Sequence, residues 1–375
     1  MAIIPFPVYN NSDDAEARVG IFRMRAGLRS RLIVNLKDER LKPNMIVAIP
    51  ADRYRDGIRP VDIGRDLPQV VDLLRMVFGE SLEGDEQKLF GDVGSGPVNG
   101  LMYRLQPSAA KLSNGFVWQS EGRIVGNATL LTTKAWDRYL VANVAVHPSY
   151  RRQGIARALM EAISTFVRNR GGRVILLQVV KDNNSAINLY RSLGYESIAN
   201  MTTWYATASR LREIPSSLPG HPDVAIDLLP NRRWREAYAL DTTHVQADLN
   251  WPEPLATDAY RHTLWQKAAD FLNGRQSETW CTVDTKGRLA GLASIYGEWG
   301  RSYYMTVRVR PDQAGHLERP LLSKVIRRLH YLPRRNVRID HPEADEATKK
   351  LLQESNFAVQ RTLTHMRLDI SHQGK

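Results

Sequence analysis

The sequence of 375 residues has little of several features that mark large classes of protein. Its single cysteine, Cys281, excludes a disulfide within the chain and fits a reducing compartment. No apolar run reaches the length of a membrane-spanning helix, so we expect no membrane association. The opening residues MAIIPFP lack the charged head and long apolar core of a signal peptide, which favours a cytoplasmic location. The nine histidines show no His/Cys spacing typical of a metal site, so we expect no metal.

Acidic residues are fewer than basic ones, and the formal net charge is +12. Such a surface attracts phosphates, nucleic acids or acidic proteins alike. Basic residues concentrate in residues 18–42 and again in residues 319–338. No aromatic residues alternate with them as they do on RNA-binding platforms. We therefore favour a solvated charged surface, with an acidic or nucleic-acid partner as the alternative.

The segment from Val144 to Met160 has the pattern of a strand, a short basic loop and a helix. The first amide groups of a helix, here those of Gln153 to Arg157, have no partners inside the helix and carry the positive end of its dipole. A loop of this kind binds anions, usually phosphates. Gly154 lets the backbone approach such a ligand closely. Taken alone, the segment also fits an ordinary strand-to-helix turn with an exposed arginine pair.

A second segment follows one helix later, after a Gly171-Gly172 turn. The nearly continuous apolar run at residues 174–180 predicts a strand buried on both faces. Polar residues 181–185 are typical of a helix start. Apolar residues then recur at helical spacing as far as Tyr190, and Gly194 ends the helix.

Together the two segments resemble the acetyl-CoA motifs of the GNAT acetyltransferases. Arg151-x-x-Gly154-x-Ala156 is similar to the family's Arg/Gln-x-x-Gly-x-Gly/Ala signature, and the pattern from Asn183 to Tyr195 is similar to its second motif. The distance between the two motifs also matches. The resemblance implies an α/β fold with a mixed, α+β-type sheet, and acetyl-CoA as co-substrate.

The pattern of elements predicts two copies of this fold in tandem. We expect an N-terminal extension at residues 1–56, a GNAT domain at 57–212, a Pro/Gly/Ser-rich linker at 213–222 and a second, degenerate GNAT-like domain at 223–375. Within the first domain, Asp66 is expected to cap the first helix, and residues 81–107 are expected to form a lid over the acceptor site.

The second copy departs from the motif. Its loop reads Asp312-Gln313-Ala314-Gly315-His316-Leu317-Glu318, and Glu318 would place a negative charge near the diphosphate. No Asn-x-x-Ala-x-x-Leu-Tyr pattern follows, and Asn356-Phe357 stands in the place of Gly194-Tyr195. We therefore expect acetyl-CoA in the first copy alone.

The resemblance assigns roles to individual residues. Residues expected to bind the cofactor are Val144, Ala145, Val146, Arg151, Arg152, Gln153, Gly154, Ile155, Ala156, Arg157, Asn183 and Tyr190. Tyr190 would also protonate the departing CoA thiolate, which we favour over a purely structural role in the core. Asn183 would hydrogen-bond the cofactor arm, cap its helix, or do both. A backbone amide near Val144 would stabilise the developing oxyanion.

The general base is not identified by the resemblance. Many relatives carry a glutamate on or beside the strand that here reads Tyr139 to Val144, which has no carboxylate. Water held by Asn143 is one candidate. The others are Asp137, Glu80, Glu83, Asp85 and His147.

These observations predict a cytoplasmic acetyltransferase (EC 2.3.1.-) that moves an acetyl group from acetyl-CoA directly to an amine. The acceptor is open among small amines, antibiotics, peptide N-termini and lysines, and a longer acyl-CoA donor is a further possibility. The alternative is a non-catalytic basic protein that binds RNA, ribosomes or a protein partner and retains a CoA-binding fold. Either a monomer or a homodimer is compatible with the sequence.

Overall fold

The computed structural model describes residues 56–79, 114–220, 223–250, 254–261, 263, 270 and 272–370. The predicted lid and residues 1–55 of the predicted extension lie outside this range, as do Glu80, Glu83 and Asp85. No helix in the described ranges is long and apolar enough to cross a membrane.

The two halves of the chain repeat one order of elements. The first half forms β1 (Gly57–Pro60), α1 (Ile63–Phe78), β2 (Asn114–Ser120), β3 (Arg123–Thr132), β4 (Arg138–Val146), α2 (Ile155–Asn169), β5 (Val174–Val180), α3 (Asn184–Ser192) and β6 (Glu196–Ala206). The second half forms β7 (Asp227–Leu228), α4 (Trp234–His244), β8 (Arg275–Val283), β9 (Leu289–Glu298), β10 (Tyr303–Val309), α5 (Glu318–His330), β11 (Val337–Pro342), α6 (Glu346–Glu354) and β12 (Ala358–Asp369). The mixed α/β architecture predicted from the sequence is thus confirmed.

The start of α1 differs from the prediction. Asp62, not Asp66, is the N-cap residue, and its side chain accepts a hydrogen bond from the Gly64 amide. Asp66 lies one turn into the helix and is buried, where Arg59 binds it at 2.5 Å. Burial opposes the charge of Asp66, but its hydrogen bonds with Arg59 and the Asp62 amide outweigh that effect and lower its pKa. Asp62 and Asp66 are both possible N-cap residues from the sequence, and the ion pair of Asp66 with Arg59 on β1 is what distinguishes them.

The last strand of each half is inserted into the other half. The described strands form one sheet in the order β1-β2-β3-β4-β5-β12-β6-β11-β10-β9-β8-β7. β12 therefore pairs with β5 of the first half, and β6 pairs with β11 of the second half, both antiparallel. The exchanged strands also pair with each other. Neither sheet is complete without the strand that the other half supplies.

The exchanged strands also contribute to both hydrophobic cores. Met366 and Leu368 of β12 pack in the core that α2 and α3 form on the first half. Trp204 and Ala206 of β6 pack in the core beneath α5 and α6. Ile214, within the predicted linker, is buried in that same second core. The two halves are thus joined by apolar burial as well as by backbone hydrogen bonds.

One buried polar contact also crosses between the halves. Gln178 of β5 lies 2.9 Å from His365 Nε2 of β12, and both side chains are buried. Burial lowers the pKa of His365 to about 4, with Arg138 adding to the effect. His365 is therefore neutral in the folded protein at pH 7.

We expect the burial of His365 to make the folded protein less stable in mild acid. The unfolded chain takes up a proton on this histidine below about pH 6.5 while the folded chain does not, so stability falls with falling pH by about 2 kcal/mol between pH 7 and pH 5. His365→Gln should show a shallower loss when urea midpoints are compared at the two pH values. His316→Gln, at an exposed histidine, is the matched control and should keep the wild-type slope. An unchanged slope in His365→Gln would contradict this account.

Candidate active site

The strands β4 and β5 diverge at one end and leave a cleft. They pair in parallel from Arg138 with Val174 to Val141 with Leu177, and no pair follows. A bulge at this point shifts the register of β4 against β3, and Asn143 takes a left-handed backbone with φ +53°. The first cleft is defined here by residues 143–146 of β4 and 178–180 of β5. The bulge turns Val144 and Val146 toward the α2 side of the sheet, where both are half-buried.

Asn143 lies at the point of divergence with an unused donor. Its carbonyl oxygen accepts a hydrogen bond from Asn127 Nδ2 at 2.8 Å. Its own Nδ2 is buried and has no partner within the described parts of the chain. A buried donor without an acceptor costs about 1–3 kcal/mol, so this position suits a ligand that accepts a hydrogen bond. The structure thus brings the predicted Asn143 to the cleft.

The loop after β4 presents free backbone amides at the same end of the cleft. A single 3₁₀ turn at Pro148–Tyr150 is followed by left-handed residues at Arg152 (φ +62°) and Gly154 (φ +80°). α2 then begins without a side-chain cap. A Cβ atom added at Gly154 would meet no atom within 4 Å, so the outer side of the loop is open at this residue. This arrangement is a nest for an anion at a helix N-terminus.

The side chains of the predicted loop residues divide into two groups. Ala145 packs in the small core beneath α1, and Ile155 packs in the core beneath α2, so these two can offer only backbone groups. The exposed group comprises Arg151, Arg152, Gln153 and Arg157. Arg157 donates to Ser192 Oγ at 2.7 Å and thereby ties α2 to α3. The positive charge therefore lies on the solvent side of the nest.

The structure also places the two predicted residues of the second motif. Asn183 caps α3, since its Oδ1 accepts a hydrogen bond from the Ala186 amide at 3.1 Å. Tyr190 is buried on the inner face of α3, with its ring 5.9 Å from the ring of Tyr195. Burial raises the pKa of Tyr190, which keeps its phenol protonated. Tyr190 therefore stays protonated at neutral pH, and the same burial makes its phenol a weaker acid than an exposed tyrosine.

The structure separates one candidate base, Asp137, from the first cleft and gives another, His147, a hydrogen bond within the loop. Asp137 precedes β4 at the end away from the cleft, about 20 Å of strand from Asn143. His147 caps the 3₁₀ turn, where its Nδ1 accepts a hydrogen bond from the Ser149 amide. Asp137 is thus too distant to act at the first cleft.

The corresponding cleft of the second half is closed by internal hydrogen bonds. Gly315 repeats the left-handed backbone of Gly154, with φ +84°. Its amide, however, donates to Glu318 Oε1 at 2.9 Å, and Glu318 is buried at the start of α5. His244 of α4 contacts the Val309 carbonyl oxygen at 3.0 Å, at the strand end that matches Val146. The Val146 carbonyl oxygen of the first half likewise accepts a hydrogen bond from Arg151 Nε at 3.3 Å, so the two halves differ in the glycine amide, which has a side-chain partner only at Gly315 among the described residues.

Among the described residues, one group could hold a metal ion. The candidate ligand atoms of His244, His341 and Asp345 lie within 4.8 Å of one another. In the structure they bind neighbouring groups instead. His341 Nε2 lies 2.7 Å from Asp345 Oδ2, and Asp345 caps α6 through the Thr348 amide. These hydrogen bonds link α4 to the end of β10 and β11 to the start of α6.

Sequence comparison links the first half to known enzymes. Residues 92–195 match the acetyltransferase (GNAT) family. The chain is 36% identical over 103 residues to the [ribosomal protein bS18]-alanine N-acetyltransferase of Escherichia coli, which covers 28% of this chain and 63% of that protein. It is 34% identical over 89 residues to the N-alpha-acetyltransferase RimI of Mycobacterium tuberculosis, covering 23% and 54%. The chain thus spans less than two thirds of the length of these relatives.

Structural comparison extends over both halves. A GCN5-related N-acetyltransferase from Sphaerobacter thermophilus is similar with a TM-score of 0.53 and 15% identity, over 85% of this chain and 96% of that chain. A tandem GNAT protein from the clavulanic acid biosynthesis pathway is similar with a TM-score of 0.48 and 18% identity, over 84% and 99%. The similarity to the Sphaerobacter protein covers both halves of this chain, so the two share the fold over most of their length.

We expect Gly154→Val to remove the affinity of the first cleft for acetyl-CoA. The new side chain would stand on the open side of the loop and hinder the close approach of a ligand to the backbone, and it would strain a backbone with φ +80°. Binding measured by isothermal titration should weaken by at least about tenfold, or about 1.4 kcal/mol. Gly287→Val is the matched control, because Gly287 has φ +73° and equally open surroundings in the β8–β9 turn. Equal losses in both variants would show a strain effect and contradict a role in binding.

Proposed function

We propose that this chain, a member of the GNAT acetyltransferase family, transfers an acetyl group from acetyl-CoA to an amine at its first cleft. One observation carries the proposal. The diverging strand end, the unpaired Asn143 donor and the open amide nest at Gly154 all lie at one end of β4. Such a site can hold a phosphorylated carrier at the nest and its reactive end between the strands.

The nest is the seat proposed for the diphosphate. The amides from Arg152 to Ala156 lie at the start of a helix that has no side-chain cap, and the exposed arginines beside them add positive charge. Val144 then offers backbone groups along the cleft, in the manner of a strand that lacks its partner. The Val146 carbonyl would have to give up its hydrogen bond with Arg151 Nε to do the same. The residues present therefore fit acetyl-CoA, and bound acetyl-CoA would supply a thioester to the cleft.

The proposed chemistry uses three groups of this chain. The acceptor nitrogen attacks the thioester carbonyl carbon, and the carbon–sulfur bond breaks. The Val144 amide and Asn143 Nδ2 donate hydrogen bonds to the oxygen that becomes negative. Tyr190 gives its proton to the departing sulfur, and the proton released by the amine passes to water.

The acceptor that we propose is the α-amine of a polypeptide N-terminus. The named activities of the two bacterial relatives are N-terminal acetylations. The chemistry of β4 agrees, because its residues Arg138–Val146 contain no carboxylate that could deprotonate a strongly basic amine. An α-amine has a pKa of about 8 against about 10.4 for lysine, so far more of it is neutral at pH 7.5. A site with a weak base therefore suits an α-amine.

The second half, in this proposal, holds no acetyl-CoA. Glu318 takes the amide of Gly315, and its carboxylate would repel a diphosphate. His244 Nδ1 contacts the backbone carbonyl oxygen of Val309, at the position where the pantetheine arm of acetyl-CoA would bind. One acetyl-CoA per chain is the stoichiometry that follows.

The alternative of a basic nucleic-acid-binding protein has less support. Arginines in the positive segment at residues 319–338 are engaged by nearby acids. Arg319 pairs with Glu354, Arg328 with Glu278 and Arg338 with Asp340, each within 3 Å. This pairing reduces the positive charge that the segment can offer to a phosphate backbone.

We expect Tyr190→Phe to slow turnover more than it weakens acetyl-CoA binding. Phenylalanine keeps the packing of α3 and removes the proton donor, so kcat should fall by about 10²-fold. Tyr195→Phe is the matched control, since Tyr195 is equally buried beside it. Thiol release under saturating acetyl-CoA measures the effect. A loss of affinity with unchanged kcat would contradict the role of proton donor.

A peptide with a free N-terminal alanine should be a better acceptor than the same peptide with a blocked N-terminus and one internal lysine. The ratio of kcat/KM at pH 7.5 should be about tenfold or more, because a larger fraction of the α-amine is neutral. A peptide with both amines blocked is the control for hydrolysis of the thioester. A faster reaction of the lysine peptide would contradict the acceptor class and leave the acetyl-CoA site untouched.

A further inference from the structure

A large cavity lies on the face of the sheet that carries α4, away from the nest at Gly154. Its volume is about 540 Å³, within the range of small-molecule sites. Strands β6 and β8 to β12 contribute to its floor, with Gln178 of β5 at one end, and α4 and residues 254–260 contribute to its roof. None of the residues that we assign to acetyl-CoA lines it, and Gln178 is the lining residue that it shares with the first cleft.

The charged groups buried in the cavity wall are already neutralised. Arg308 binds Asp241 at 2.6 Å, with both side chains buried. Tyr260 donates a further hydrogen bond to Asp241. Asp340 pairs with Arg338 at 2.9 Å and accepts a hydrogen bond from Thr203. A charged ligand would find no free counter-charge on these groups, so the cavity favours an uncharged one.

Two polar atoms of the wall are buried without a partner in the described chain. They are Thr306 Oγ1 on β10 and Asn250 Nδ2 beyond α4. Buried polar groups in native proteins are nearly always hydrogen-bonded to protein, water or a ligand. Because Asn250 Nδ2 can only donate, its partner must offer an acceptor such as a carbonyl or hydroxyl oxygen.

The two walls differ in polarity. The floor carries hydroxyl groups, among them Ser277, Thr279 and Ser294. The roof is apolar, with Val245, Leu249 and Leu255. A ligand that matches both walls has one apolar side and one side with oxygen atoms.

We propose that this cavity is a second small-molecule site, separate from the site of acetyl transfer. Its ligand is an uncharged, largely apolar compound with at least two hydrogen-bonding oxygens. Thr306 and Asn250 bind those oxygens, and the roof covers the apolar side.

Nile red is a suitable probe, since it is uncharged, carries oxygen acceptors and fluoresces strongly away from water. The full chain should bind it saturably with one site per chain. Thr306→Phe and Ala259→Phe fill the cavity from opposite walls and should each abolish the signal. Thr165→Phe, on the exposed side of α2, is the matched control and should bind as the wild type does. Thr306→Val keeps the shape and loses one oxygen, and it should weaken binding by about fivefold.

Acetyl transfer to the alanine peptide shows whether each variant is folded, because none of these residues belongs to the first cleft. Binding that survives Gly154→Val and is not displaced by the acceptor peptide would support a separate site. Displacement by the peptide would overturn the proposal, since the cavity would then be the acceptor pocket. Absence of saturable binding, or equal binding by both filled variants, would also overturn it.

Discussion

The exchange of the last strands is the constraint on which the rest of the structure depends. β12 separates β5 from β6, and β6 separates β12 from β11, so each half borrows a central strand. β5 forms one wall of the first cleft and pairs with β12, and β11 lies in the corresponding place of the second half and pairs with β6. The wall strand of each cleft is therefore held in place by a strand from the opposite half. The Gln178–His365 contact and the mixed cores follow from the same exchange. Contacts between residues so far apart in sequence are formed late in folding, because closing long loops precedes any gain from pairing.

The two halves share one architecture but differ in how a few side chains bond to the backbone of the corresponding loops. Gly154 and Gly315 have nearly the same backbone conformation. In the first half no described side chain accepts a hydrogen bond from the Gly154 amide, whereas in the second half the carboxylate of Glu318, three residues later, accepts one from the Gly315 amide. An amide that already donates a hydrogen bond within the protein is not available to a ligand. The repeat thus conserves the scaffold while one half keeps an open nest and the other uses the same groups for its own stability.

The sequence predicted what local chemistry determines. The Asn183 cap and the end of the helix at Gly194 each depend on residues a few positions apart, and each is found. The strand exchange was not predicted, because β5 and β12 are both apolar strands and no spacing states which edge a strand joins. His244 was missed as a group at the second cleft for the same reason, since its partner Val309 lies on another element. The choice between Asp62 and Asp66 likewise needed the position of Arg59.

The order of synthesis gives the strand exchange a further consequence. β5, with the sequence VILLQVV, leaves the ribosome long before β12, its antiparallel neighbour in the finished sheet. During that interval a nearly uncharged strand of high β-propensity has an unpaired edge, which is a known route to aggregation. Until β12 is made, this edge of β5 stays open unless another strand or a chaperone covers it. A message that ends before β12 is translated would leave this edge open permanently.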